Sequence, residues 1–143
     1  MSIQGRVEDA EFLWCHGRLE GAFLSVLTAV AATSRLRYPD RETIKDGEAF
    51  RRFIASAHTV RLRVEFRGEL FSIEQVFYKW LRCELVHEGG LPVDIKFLPE
   101  DSLELSVRAG GKPEYILKLS RGWFYHLIQA VKTAPENSRR FKL

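Results

Sequence analysis

Apolar positions along the chain change their spacing several times, and each change marks an element. From about Glu8 to Thr33, Phe12, Cys15, Leu19, Phe23, Val26 and Val30 recur at intervals of three and four, one face of a long first helix. The chain breaks around Pro39-Asp40. A second helix is predicted from about Asp46 to His58, with Ala49, Phe50, Phe53, Ile54 and Ala57 as its stripe. The polar, basic stretch RLRYPDRETIKDG between them is an exposed connection.

Over residues 60–66 the period falls to two. Val60, Leu62, Val64 and Phe66 alternate with Arg61, Arg63 and Glu65, as in a half-buried strand whose outer face carries arginine. Ser72 followed by Gln75 forms a capping box, which predicts a third helix from Ser72 through Phe77, Trp80, Leu81 and Leu85 to about Glu88. Gly89-Gly90 ends it, since glycine takes the left-handed conformation that satisfies terminal carbonyls.

Alternation then returns at Val93, Ile95 and Phe97, at Leu103, Leu105 and Val107, and at Tyr115, Leu117 and Leu119. These are the strands of a small antiparallel sheet, with Gly110-Gly111 as a turn. Ser120 caps a last helix to about Thr133, and the basic tail from Pro135 is expected to be loose. The fold expected is mainly α within the α+β class: a bundle of four principal helices with a small antiparallel sheet inserted before the last one, in a single domain over residues 1–143.

Composition narrows this little. Hydrophobic residues make up 45% of the 143 and charged residues 29%, an ordinary globular balance, and a net charge of +3 permits a polyanionic partner without requiring one. Cys15 and Cys83 are too few for a disulfide framework, so reduced thiols in a cytoplasmic protein are expected, each cysteine a small buried apolar residue. The apolar run at residues 21–32 lacks the basic start of an export signal and is too short to cross a bilayer, which argues against a membrane protein.

Cys83 and His87 are four residues apart on one helix and can share a face. Neither a CxxC nor an HxxxH element accompanies them, and Cys15-His16 point about 100° apart on a helix, so no metal and no cofactor is assigned. A Cys83–His87 nucleophile pair would lack an oxyanion hole. Arg82 with His87 carries more chemistry. A guanidinium holds two phosphate oxygens, and a neutral imidazole can accept the proton of a ribose 2′-hydroxyl near pH 7; together they cleave RNA without a metal, leaving a cyclic phosphate and a 5′-hydroxyl. Five residues on an ideal helix turn the two side chains about 140° apart, so one copy does not aim both at one atom and a twofold dimer is required.

The stretch LRCELVHEGG, with Arg82, four intervening residues and His87 near the end of a late helix, resembles the R-x(4–6)-H motif of HEPN (higher eukaryotes and prokaryotes nucleotide-binding) domains, and its wording is similar to bacterial members of that group. The resemblance implies an up-and-down four-helix bundle and a metal-independent endoribonuclease. Such an enzyme would work as a homodimer with Arg82 and His87 in a composite site, as a toxin paired with an antitoxin or as an antiviral effector. Members without catalysis bind a nucleotide, RNA or a protein partner, which is the alternative expectation. Cys83 stands where active members commonly carry asparagine, aspartate or histidine. Glu84 and Glu88 flank the pair and are the candidates to orient His87 as supporting residues, the other reading being that glutamate near a helix C-terminus is a solvated residue. Arg61, Arg63 and Arg67, with Arg51, Arg52, Arg139, Arg140 and Lys142, are the candidate track for an RNA backbone. Trp80, Trp123, Phe124 and Tyr125 fall at core spacing rather than as a stacking platform.

Overall fold

The structure is a computed structural model that describes residues 2–59, 61–110 and 116–141. Where one long helix is expected at the N-terminus there are two, α1 (Ile3–Cys15) and α2 (Leu19–Arg37), folded back on each other across His16-Gly17-Arg18. Gly17 has φ +73° and lets the chain reverse there. The break also moves the apolar stripe. α1 buries Ile3, Val7 and Ala10, while Phe12 is 63% exposed and Cys15 is exposed, contrary to the expectation for both.

α2 is the hub. It buries Ala22, Phe23, Val26, Leu27, Ala29 and Val30 and packs against α1, α3 (Asp46–Ser56), the helical segment at 73–88 and α6 (Gly122–Thr133). At 19 residues it is longer than the run read from the sequence, and it is apolar enough to cross a membrane by length and composition. Its buried face is the centre of the core, which explains that apolarity.

β1 (Arg63–Phe66) and β2 (Glu69–Ser72) form an antiparallel hairpin through Arg67-Gly68, both at positive φ as two-residue hairpins require. The pattern in β1 is as expected, Val64 and Phe66 inward, Arg63 and Glu65 outward; β2 carries no alternating signal in the sequence, because only the adjacent Leu70 and Phe71 in it are apolar. Val60 lies outside the described residues. The second sheet is mixed rather than antiparallel: β5 (Leu117–Leu119) pairs in parallel with β3 (Ile95–Phe97) and antiparallel with β4 (Val107–Arg108). Tyr115 and Gly111 lie outside the described residues.

The sheet is held to α6 by hydroxyl and indole contacts. Ser120 does not cap α6; its hydroxyl donates to Glu104 O (2.6 Å) and accepts from Ser106 N (2.9 Å), and Trp123 Nε1 donates to Ser106 O (3.1 Å). The tail is docked rather than loose. Pro135–Asn137 form a 3₁₀ turn in which the buried Asn137 amide donates to Thr33 Oγ1 (3.0 Å) and Val131 O (2.9 Å). Beside it Arg37 grips Glu136 in a two-pronged contact of 2.7 and 3.1 Å. The described molecule is thus α+β, with five helical regions and two small sheets.

Candidate functional site

The capping box forms as read: Ser72 Oγ accepts from Gln75 N, and Gln75 Oε1 accepts from Ser72 N. The helix it starts is composite. An α turn, α4 (Ile73–Val76), leads into an eight-residue π segment, Phe77–Glu84, and then into α5 (Leu85–Glu88), which Gly89 ends at φ +75°. A π segment closes its hydrogen bonds on the fifth residue, so positions i, i+4 and i+5 gather on one side. Phe77, Trp80 and Leu81 face the core, with Trp80 edge-on to Phe66 and Phe71. Tyr78, Arg82 and Cys83 gather towards α2 and α3. In an α-helix Tyr78 and Cys83 would diverge by about 140°. Here the phenol interacts with the Cys83 thiol, and burial first, then that thiol, pushes the Tyr78 pKa up.

These three residues form one wall of a cavity of about 320 Å³. α2 supplies Thr28, Ala31, Ala32 and Arg35, the connection after it Arg41, and α3 Asp46 and Phe50. Three arginines therefore line a space otherwise walled, Asp46 apart, by small and aromatic side chains. Arg35 is 13% exposed; its Nη1 donates to Ile44 O at 2.8 Å, and its Nη2 is buried with no hydrogen-bond partner. The Nε of Arg82 is likewise buried and unpartnered. One carboxylate answers them: Asp46 Oδ1 lies 3.4 Å from Arg35 Nε and 3.6 Å from Arg41 Nη1. Buried guanidinium N–H groups without acceptors are costly, and of the acceptors that can satisfy them an anion binds most strongly.

His87 does not share this site. It is exposed on α5, one helical type beyond Arg82, and does not line the cavity. Within one chain the expected Arg82–His87 pair is thus not assembled around one point. Glu84 is half-buried and Glu88 exposed, and neither lines the cavity, whereas Cys83 does. Among the described residues no three His, Cys, Asp or Glu side chains converge as metal ligands would.

The anticipated basic track divides. Arg67 is committed to Asp94 through contacts of 2.8 and 3.0 Å, which hold the Asp94 carboxyl below its usual range, and it stacks on Phe66. Arg61 is exposed, and Arg63 joins Arg51 and Arg52 around a shallow recess of about 490 Å³ that also contains Glu74. Arg52 is already paired with Glu48 at 2.7 Å, and Glu74 with His58 at 3.1 Å. Arg139 and Arg140 are exposed beyond the 3₁₀ turn, and Lys142 lies outside the described residues. Trp80, Trp123 and Phe124 are buried as expected; Tyr125 is half-buried, its hydroxyl accepting from Trp14 Nε1 and donating to Asp101.

Arg35, Arg41, Asp46 and Tyr78 escape a reading of the sequence as site residues. The sequence signal they carry is weak: RLRYPDR looks like a solvated connection until the π segment faces it. No curated protein and no solved structure matches the chain. A family model does match, over residues 2–141, and the chain belongs to the Rv1289 family.

Proposed function

We propose that this protein is a non-catalytic, HEPN-like binding module of the cytoplasm that takes a nucleotide or RNA through the phosphate-binding capacity of Arg82. The observation that carries this reading is the direction of Arg82, into a cavity with two further arginines and an unpartnered Nε, while His87 stands outside it. A binding site needs convergent donors; acid–base cleavage also needs an imidazole within hydrogen-bond reach of the same phosphate. In the HEPN-like reading the four bundle helices are α2, α3, the composite helix at 73–88 and α6, with α1 added in front. Its support is that α2 touches all three of the others.

A second reading, the metal-independent endoribonuclease, is favoured by one observation: His87 is exposed at a helix end and free to meet the Arg82 region of another copy. That reading requires a homodimer, and in a toxin setting an antitoxin partner. One experiment separates the two. End-labelled RNA is incubated with the protein in the presence of a chelator, and binding is followed by fluorescence anisotropy and integrity by gel. The binding reading predicts intact RNA, with affinity reduced in Arg82→Ala and unchanged in His87→Ala. Cleavage that disappears in His87→Ala would establish the enzyme instead.

A further inference from the structure

The charges around the cavity specify more than an anion. Arg35, Arg41 and Arg82 contribute three positive charges and Asp46 one negative charge, a surplus of two. A phosphate diester carries a single negative charge, whereas a phosphate monoester carries roughly −1.5 to −2 at pH 7 and presents three acceptor oxygens. Arg35 Nη2 and Arg82 Nε are buried without hydrogen-bond partners, so two of the three arginines that line the cavity keep unused donor capacity. Beyond the arginines and Asp46 the wall is small or aromatic, including Ala31, Ala32 and the half-buried ring of Tyr78, which suits the flat face of a base rather than a second charge. A volume of about 320 Å³ is at the small end for ligand sites, and holds one compact molecule.

Asp46 adds a regulatory feature. At 64% exposure, and shared by two guanidinium groups at 3.4 and 3.6 Å, its carboxylate stands where an incoming phosphate would compete for Arg35 and Arg41. Resting on the binding reading above, we infer that the cavity is a phosphomonoester site for a nucleoside monophosphate, in which Arg35, Arg41 and Arg82 hold the phosphate and the Asp46 carboxylate is the internal anion that it displaces.

The test is calorimetric titration of the full chain with AMP, adenosine and inorganic phosphate, with folding of each variant checked by circular dichroism. AMP is expected to bind at least about tenfold more tightly than adenosine, because a charge-assisted phosphate contact contributes at least that factor. Arg41→Gln, at a mostly exposed position with no core role, should weaken AMP binding about fivefold, and Asp46→Asn should strengthen it about two- to fivefold, the worth of an exposed ion pair. A pocket in which Asp46 is merely structural would lose affinity in Asp46→Asn, which overturns the inference. So does adenosine binding as well as AMP, or no binding of any phosphomonoester. A 5′-phosphorylated RNA strand binding where AMP and the 5′-hydroxyl strand do not would overturn the nucleoside monophosphate as the occupant and make a strand end the source of the phosphate. RNA binding that depends on Arg82 but is indifferent to a terminal phosphate would sink the inference while leaving the binding module standing; absence of both RNA and nucleotide binding would remove both.

Discussion

Gly122 opens α6 beneath the loop before β4, and a Cβ built there would lie 2.2 Å from Glu104 O, 2.6 Å from Leu103 C and 2.7 Å from Leu103 O. Real Cβ contacts are essentially never shorter than 3.0 Å, and the obstructing atoms are backbone, so Gly122→Ala must displace the 103–104 segment by close to 1 Å. That movement strains the Ser120 hydroxyl bonds to Glu104 O and Ser106 N, and the Trp123 indole bond to Ser106 O. At about 1 kcal/mol for each hydrogen bond the cost is about 3 kcal/mol, at the upper end for overpacking. With an unfolding entropy of about 0.3 kcal/mol/K for 143 residues, the melting temperature should fall by about 10 °C. Gly17→Ala is the matched control. Nothing lies within 4 Å of its Cβ position, so only the φ of +73° penalises it, at about 1 kcal/mol. Thermal unfolding followed by near- and far-ultraviolet circular dichroism measures both. A Gly122→Ala protein that melts with the wild type, or a Gly17→Ala protein that melts below the Gly122→Ala protein, would refute the packing of α6 against the sheet.

Other predictions concern the tail, the titrating groups and the thiols. Asn137→Ala removes two buried donations from the docked tail and should cost about 2 kcal/mol in denaturant unfolding; an unchanged midpoint would mean that the 3₁₀ turn is not anchored through this side chain. Burial, and then the charge of His58, lower the His126 pKa below its ordinary 6.5. Its contribution is therefore complete above pH 6.5 and is lost as pH falls through the lower folded value; His126→Leu should flatten that part of the stability–pH curve, and an unchanged slope would contradict the assignment. The Glu136 and Asp94 carboxyls are held low by Arg37 and Arg67, so their stabilisation is present above about pH 4.5 and fades in more acid solution. In Glu136→Gln the acid limb should be shallower and the loss at pH 7 about 1 kcal/mol, so an acid limb as steep as the wild type's would count against the Arg37 clamp. Cys15 is exposed and Cys83 half-buried on the cavity wall. Alkylation should therefore reach Cys15 first, and AMP should slow only the reaction at Cys83; equal protection of both thiols would argue against binding in the cavity.

Elements with a clear local signal were legible in the sequence. The α3 stripe, the β1 alternation, the Ser72–Gln75 capping box and the Gly89 terminus all rest on contacts within a few residues; the box and the terminus stand where read, while β1 is confined to Arg63–Phe66 and α3 ends at Ser56, short of the bounds their patterns suggest. The departures arise where a local pattern is compatible with two outcomes. Phe12 and Cys15 continue the helical spacing of Phe23 and Val26, and only the reversal at Gly17 separates their faces. Ser120 is a sound N-cap residue by type, but its hydroxyl is taken by Glu104 and Ser106, neighbours in space and not in sequence. The site was half legible. Arg82 could be selected by its chemistry, yet its partners could not, because the spacing from Arg82 to His87 assumes a regular helix. The π segment brings Tyr78 and Cys83 to the cavity with Arg82, and α5 carries His87 away.

The most direct measurement is a nuclear magnetic resonance titration of the isotopically labelled protein with AMP, observing arginine Nε–H and histidine ring signals together. The shifts are predicted at Arg35 and Arg82, whose side chains line the cavity, with the His87 ring unmoved. Perturbation centred on His87 while both arginine signals stay in place would contradict the assignment of the cavity as the binding site.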